Sequence, residues 1–308
     1  MKKRIVLSLA IIAGFCCLFF LPKTESKKLV SSQNHAKIFN EIKPQSVRAA
    51  AFAVSPKISS FAPAAPEDGV SGKKTAEEKA RIVPNNLPFR KQVAGAPHDT
   101  DNNLANITDA QMPAPSVSFN GLSSNDNAAA YGFRVIPPDT FGDVGLNHYV
   151  QAVNALVRVY DKQGNALTPP FKLSSIFAPL GTSCAMRNDG DPIVLYDALA
   201  DRWLLSQFCT QFPPFRQMIA VSKTGDPTGE YFVYEFVMPN NKLNDYSKIG
   251  VWSDAFYMTT DEFFGGDYAG TGIFAFDKNK ILAGDASASY IYFDLASPTT
   301  LRIGGMLP

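Results

Sequence analysis

The stretch PDTFGDVGLNHYVQAVNALVRVYD, residues Pro138–Asp161, is the first of three loosely similar blocks in the second half of the chain. GDPIVLYDALADRWLLSQF begins at Gly190 and DYSKIGVWSDAFYMTTDEF begins at Asp245. Each block starts with an acidic residue, reaches an aromatic residue at the head of a strand-like run, and ends on a polar residue. In order, these are Asp139, Tyr149 and Asn154; Asp191, Trp203 and Gln207; Asp245, Phe256 and Thr260. The acidic residues lie 52 and 54 residues apart, which suits one four-stranded sheet per block, as in the blades of a β-propeller.

The region from residue 129 to residue 308 is predicted to be all-β. Its apolar runs are rich in Val, Tyr and Phe, and Gly, Asp and Pro stand where turns are needed. No helical periodicity of convincing length occurs there. The length corresponds to a partial propeller of about three blades, whereas a closed ring needs at least about four. We therefore expect this domain to be truncated at its C-terminus.

The first 22 residues are typical of an export signal. Lys2, Lys3 and Arg4 precede an uncharged run from Ile5 to Leu21, and Pro22 ends it. The run approaches the length of a membrane span, so a cleaved signal peptide and an uncleaved signal anchor both stay open. Either form predicts an exported chain, extracellular or periplasmic, and an uncleaved signal would anchor it in the membrane through residues 5–21 alone.

Residues 23–128 are predicted to form a disordered linker. They contain five Phe residues but no Tyr and no Trp. Residues 131–308, in contrast, hold 28 of the 36 aromatic residues. A segment this poor in large apolar side chains buries too little surface to offset the entropy of ordering its backbone.

The charge of the folded region argues against nucleic acid as a partner. Residues 131–308 carry 13 Lys and Arg against 18 Asp and Glu, a net charge of −5. A nucleic-acid-binding surface needs excess positive charge to neutralise phosphates. A cell-surface carbohydrate, a cation or a protein remains as the expected partner.

Cys184 and Cys209 are the two cysteines that follow the export signal. An even pair in an exported protein favours a disulfide. Two free thiols are the competing interpretation. A zinc site is disfavoured, because the chain has no CxxC or HxxxH spacing.

Four strings resemble, in the same order, a family of large secreted bacterial proteins that are predicted to contain propeller-like domains. They are PPDTFGDVGLNHYVQAVN, NDGDPIVLYDALADRWLLSQF, VSKTGDPTGEYFVYEF and DYSKIGVWSDAFYMTTDEF. The resemblance covers roughly residues 112–308 and implies a location and an architecture, but no reaction. Chains of that family continue beyond the position of GGMLP, which again implies truncation.

The acidic residues that precede the repeats are the candidate ligand-binding groups, since ligands of propellers sit where the inner strands converge. Asp139, Asp143 and Asp191 are predicted to bind ligand, with Trp203 as a stacking platform. Asp189 and Asp191 are candidate ligands of a metal, with Ca²⁺ as the candidate cofactor. The plainer interpretations are that each Asp caps its own turn and that Trp203 packs between blades. No catalytic residue is assigned.

Three functional hypotheses follow. The leading one is an exported, non-catalytic propeller domain that binds a surface polysaccharide or protein. The second is a carbohydrate-active enzyme that uses axial carboxylates in the manner of a glycosidase. The third is a truncated remnant without autonomous function. No GxSxG, P-loop, HExxH or dinucleotide-binding motif occurs, which disfavours serine hydrolase, nucleotide and zinc-peptidase chemistry.

Overall fold

The computed structural model describes residues 43–65, 114–210 and 213–295 of the 308-residue chain. This part of the chain is all-β, with its strands in three antiparallel sheets, and the all-β part of the predicted fold class is confirmed. The predicted export signal, residues 1–22, lies outside the described residues. Within the described ranges, no helix has the length and apolar character needed to cross a membrane.

Two short N-terminal strands, β1 (Gln45–Arg48) and β2 (Ala51–Val54), precede three four-stranded meanders. Sheet I contains β3 (Thr140–Val144), β4 (His148–Val153), β5 (Leu156–Asp161) and β6 (Phe171–Lys172). Sheet II contains β7 (Ile193–Asp197), β8 (Arg202–Cys209), β9 (Arg216–Ser222) and β10 (Tyr231–Val237). Sheet III contains β11 (Leu243–Val251), β12 (Ala255–Phe264), β13 (Asp267–Asp277) and β14 (Ser289–Leu295). The first repeat therefore supplies the first three strands of sheet I, and the second and third repeats supply the first two strands of sheets II and III.

The helical elements are short. They are α1 (Ser124–Tyr131) and α2 (Lys278–Ala283), with single 3₁₀ turns at Ile58–Ser60, Leu173–Ile176, Ala178–Leu180 and Pro239–Asn241. Helix α1 begins at a capping box. The Ser123 side chain accepts from the Asp126 backbone N–H, and the Asp126 side chain accepts from the Ser123 backbone N–H. Helix α2 ends at Gly284 in the left-handed conformation.

Strands β1 and β2 correct the prediction that residues 23–128 are a disordered linker. Strand β1 pairs with β14 at the outer edge of sheet III, and β2 pairs with β10 at the outer edge of sheet II. Ser55 extends the second pairing, because its Oγ accepts from the Tyr231 backbone N–H at 2.9 Å. These strands need no core of their own, since they complete edges of sheets that already exist. Helix α1 likewise begins inside the predicted linker, and the rest of that linker, residues 23–42 and 66–113, lies outside the described residues.

Sheet II is the middle layer of the three. On one side Trp203 and Leu205 pack with Val150 and Val157 of sheet I. On the other side Leu204 packs with the aromatic face of sheet III, which includes Phe256, Phe274, Phe276, Tyr290 and Tyr292. Successive residues of a strand point to opposite faces, so β8 contributes to both clusters. Both faces of sheet II are therefore buried.

The run from His148 to Asp161 folds as a hairpin. Asn154 and Ala155 form its turn, and Asn154 takes the left-handed conformation with φ 43°. Asn accepts this conformation more readily than most residues. The turn places the Asn154 side chain at the end of sheet I where β3 begins.

Cys184 and Cys209 form a disulfide with 5.6 Å between their Cα atoms. The bond ties the loop before β7 to the end of β8. This is the pairing that the sequence predicts for the two cysteines. The Cα separation lies within the ordinary range for disulfides.

Candidate functional site

The acidic residues that open the three repeats lie together at one end of the sheets. Asp139 immediately precedes β3, Asp191 lies two residues before β7, and Asp245 lies near the start of β11. Strand β7 contacts both β3 and β11, so the three first strands are neighbours. Asp139 and Asp191 share a side-chain hydrogen bond, and the charge of Asp245 acts on Asp191. We call Asp139, Asp191, Asp245 and Lys248 the acidic cluster.

Asp191 is the carboxyl that holds a proton. Burial and the negative charges of Asp139 and Asp245 raise the pKa of Asp191 from 3.8 to about 7. Burial also raises the pKa of Asp139, but the hydrogen bond from Asp191 opposes that shift. Two ionised carboxylates cannot share a hydrogen bond, so the protonated Asp191 donates and Asp139 accepts. The pair is a proton-sharing dyad built from two different sheets.

Asp245 and Lys248 are positioned by a bulge in β11. The pairing register with β12 shifts between these two residues. Burial raises the pKa of Asp245 and lowers the pKa of Lys248, and the negative charges of Asp139 and Asp245 oppose the lowering at Lys248. Bulges are common beside functional sites because they redirect side chains. Lys248 is the cation that partly balances the three carboxyls.

Tyr246 lies in the bulge and is 57 % exposed. Its φ of 49° is in the left-handed region, which is rare for a large aromatic residue. The Lys248 ammonium nitrogen stands 3.4 Å from the centre of the Tyr246 ring, so the lysine supports the ring from one side. Strained backbone of this kind concentrates at functional sites. The acidic cluster therefore has an exposed aromatic ring beside it.

Asn154 and Gly190 hold the dyad in place. The Asn154 side-chain N–H group donates to Asp139 Oδ2 at 3.1 Å and to the Pro137 carbonyl at 2.9 Å. Asn154 Oδ1 lies against Gly190, where a Cβ atom would be 1.8 Å from it. Gly190 has φ 89°, and Asp191 next to it has φ 48°. Only glycine at position 190 allows both this conformation and this approach.

The other predicted ligand-binding residues have structural partners. Asp143 Oδ2 accepts from the Tyr196 backbone N–H at 2.7 Å and thereby joins sheet I to sheet II. Trp203 is 0 % exposed, and its indole N–H donates to the Gly225 carbonyl at 3.2 Å. A buried indole cannot stack on a ligand, so the packing interpretation describes Trp203 and the stacking one does not.

Asp189, one of the two predicted metal ligands, is separately engaged. Its Oδ1 lies 2.8 Å from the Arg187 guanidinium, and its Oδ2 accepts from the Thr210 backbone N–H at 2.9 Å. Asp191 instead belongs to the dyad with Asp139. In the part of the chain that the structure describes, no three His, Cys, Asp or Glu side chains are grouped to hold a metal ion. The geometry therefore lends no support to a Ca²⁺ site formed by Asp189 and Asp191.

Sequence reasoning finds the three acidic starts but misses Lys248, Tyr246 and the role of Asn154. The repeat pattern marks Asn154 only as a polar end of its block. No sequence motif predicts a bulge at Asp245–Lys248, although the residues DYS at 245–247 interrupt the apolar alternation there. Comparison with protein-family models, curated proteins and solved structures gives no match to this chain. The family resemblance of the four strings stays a prediction.

Proposed function

We propose that this chain is an exported, non-catalytic β-propeller domain that binds a cell-surface polysaccharide at the acidic cluster. The stacking of three meanders, with β3, β7 and β11 adjacent at the inner position, supports the propeller architecture. The Cys184–Cys209 disulfide supports an oxidising compartment and hence export. The proposal also rests on the export-like sequence of residues 1–22.

The observation that carries the ligand assignment is Tyr246. It is an exposed aromatic ring next to three carboxyl groups and an ammonium group. Sugars present both apolar C–H faces, which pack on such rings, and hydroxyl groups, which donate to carboxylates and accept from Lys248 or the protonated Asp191. Of the two ligand classes that the sequence leaves open, polysaccharide and protein, this combination favours polysaccharide.

The close contact of Asp139 and Asp191 supports binding over hydrolysis. Glycosidases place their two carboxyl groups about 5 Å apart when they retain configuration and farther apart when they invert it. Two carboxyls that share a hydrogen bond are closer than either arrangement allows. The dyad therefore lacks room for an anomeric carbon between its members.

A glycosidase remains the second candidate because Asp191 keeps a proton near neutral pH. A carboxyl with a raised pKa is the usual general acid of such enzymes, and Asp245 would then supply the second carboxylate. This alternative predicts the release of reducing ends from a bound glycan, with loss of release in Asp191→Asn.

A glycan array followed by calorimetric titration tests the proposal. The purified chain should bind at least one polysaccharide without releasing reducing ends. Tyr246→Ala should weaken binding at least about tenfold, a loss of about 1.4 kcal/mol, whereas Tyr246→Phe should retain it. Leu199→Ala is the matched control, because Leu199 is 73 % exposed in the turn at the opposite end of β7. Equal affinity of the Tyr246→Ala and Leu199→Ala variants would refute the site.

A further inference from the structure

The turn between the first and second strand of each sheet carries one large apolar residue at its tip. These residues are Leu146, Leu199 and Trp252, and they are 69 %, 73 % and 65 % exposed. They lie 53 and 53 positions apart, so they occupy the same position in the three repeats. A single exposed apolar side chain needs no explanation. Three of them at one repeated position indicate a shared surface.

The first of these turns is joined to the second by direct contacts. The Tyr196 hydroxyl, on β7, shares a hydrogen bond with the Leu146 backbone and donates to Asp201 Oδ1 at 2.7 Å. Asp201 is the last residue of the turn between β7 and β8. A Cβ on Gly145 would lie 2.6 Å from the Trp203 indole, so the backbone of the first turn packs on β8. The first two tips are therefore neighbours.

The second turn is joined to the third through Lys278. Its Nζ lies 2.6 Å from Asp197 Oδ2 and donates to the Trp252 carbonyl at 2.7 Å. Asp197 Oδ1 in turn accepts from the Leu199 backbone N–H at 3.0 Å. The three turns are thus held together at one end of the sheets. We call them, residues 145–147, 198–201 and 252–254, the turn surface.

The turn surface lies at the opposite end of the first strands from the acidic cluster. Strands β3 and β7 begin beside the cluster and end at these turns. On sheet I the apolar surface continues into an open groove of about 430 Å³, lined in part by Val144, Phe119 and Tyr149. Val144 is the last residue of β3 and is exposed. One end of the sheets therefore presents carboxyls, and the other presents apolar tips.

The chemistry of the turn surface fits a lipid surface. Asp201 and Asp254 are the ionisable residues of the three turns, so the turns offer no positive charge to an anionic partner. The apolar tips stand on separate turns among polar residues, whereas a protein interface has a contiguous apolar core. A bilayer accepts separate apolar side chains at the acyl boundary while polar neighbours stay among the headgroups. Trp is enriched at that depth.

We propose that the turn surface docks on a lipid bilayer, with Leu146, Leu199 and Trp252 reaching the boundary of the acyl chains. The run Ile5–Leu21, predicted as an export signal or anchor, would hold an uncleaved chain at the same bilayer. Residues 22–42 could span at most roughly 75 Å, whereas the longest strand, β13, spans about 35 Å. The tether is therefore long enough for the turn surface to reach the bilayer. The acidic cluster then faces away from the membrane.

Tryptophan fluorescence of the full chain tests the proposal. The chain has two tryptophans and Trp203 is 0 % exposed, so Trp252 reports on the turn surface. Phosphatidylcholine vesicles should shift the Trp252 emission to shorter wavelength, and brominated acyl chains should quench it. Trp252→Phe keeps an aromatic tip and leaves Trp203 as the emitter, so vesicles should not change its emission. Unchanged emission of the unmodified chain, even when residues 5–21 anchor it, would overturn the proposal, as would a change that requires anionic lipid.

Two double variants make the test specific. Leu146→Ser combined with Leu199→Ser should lose most of the quenching of Trp252 by brominated lipid. Ile136→Ser combined with Met186→Ser removes two exposed apolar residues outside the turn surface and should keep the quenching. Equal quenching in both double variants would contradict the proposal. Emission at short wavelength before vesicles are added would show that a second copy of the chain covers Trp252, which also contradicts it. The outcome is independent of polysaccharide binding, because the acidic cluster lies at the other end of the sheets.

Discussion

Asp191 donates a hydrogen bond to Asp139, although the two residues are 52 positions apart and precede strands of different sheets. The contact exists because β3 and β7, the first strands of sheets I and II, lie against each other. In the folded chain this contact lets Asp191 keep its proton to a higher pH than in the unfolded chain. The acidic cluster therefore links the packing of the sheets to the protonation of the candidate site.

Asp191→Asn should change how stability depends on pH. The folded chain keeps the Asp191 proton up to about pH 7, whereas the unfolded chain releases it near 3.8. Asp191 therefore stabilises the fold fully below pH 3.8, and that contribution is lost as pH rises through 7. Between pH 5 and pH 8, the free energy of unfolding of Asp191→Asn should rise relative to the unmodified chain by roughly 1 kcal/mol or more.

Urea unfolding of both proteins at the two pH values measures this difference. Asp285→Asn is the control, because its backbone hydrogen bond from Ser287 lowers the pKa of Asp285. A lowered pKa confers stability that is lost only in acid, so this variant should show a flat difference between pH 5 and pH 8. A flat difference for Asp191→Asn as well would show that Asp191 is not protonated.

Gly190→Ala should displace Asn154 and loosen Asp139. The new Cβ would overlap Asn154 Oδ1, and the left-handed backbone at residue 190 adds a further cost. We expect a loss of roughly 2 to 4 kcal/mol in the free energy of unfolding. Gly266→Ala separates the two causes, because Gly266 has φ 94° and no described atom lies within 4 Å of where its new methyl group would stand. In calorimetry, the melting temperature of Gly190→Ala should be well below that of Gly266→Ala. Equal losses of stability in the two variants would mean that the contact between Asn154 and Gly190 is not formed.

Substitutions at Tyr246 should follow the rule for left-handed residues. Asn tolerates positive φ, whereas a β-branched residue does not. The free energy of unfolding of Tyr246→Asn should therefore exceed that of Tyr246→Val by about 1 kcal/mol. Both variants lack the aromatic ring, so both should lose polysaccharide binding. The same pair of substitutions at Leu199, which has no positive φ, should show no preference for Asn. A more stable Tyr246→Val would contradict the bulge conformation.

The sequence predicts the β class and the grouping of three acidic residues, because both follow from patterns that recur along the chain. Alternating apolar residues specify strands locally, and a repeat places equivalent residues at equivalent ends of each sheet. Strands β1 and β2 escape prediction because their stability comes from the edges of sheets formed more than 150 residues later. The sequence does not predict the protonation of Asp191 either, because the pKa of Asp191 depends on its burial and on its distances to carboxyls in two other sheets.

Phe52→Ala should test the N-terminal strands. The Phe52 ring lies 5.0 Å from the Tyr234 ring and 6.3 Å from the Phe232 ring, on the edge strand of sheet II. Its truncation should cost roughly 1 to 3 kcal/mol, measured by urea unfolding. Val54→Ala, on the same strand but 39 % exposed, should cost less than about 0.5 kcal/mol. If both changes are neutral, β2 does not pack on sheet II.

Hydrogen exchange in the presence of the polysaccharide found on the array tests the central proposal most directly. Bound glycan should slow backbone exchange in three separate segments, residues 137–140, 189–192 and 244–248, because these carry the acidic cluster and Tyr246. The protection should disappear in Tyr246→Ala. Protection confined to the groove residues around Phe119 and Tyr149, or absent from the acidic cluster, would contradict the assignment of this end of the sheets as the binding site.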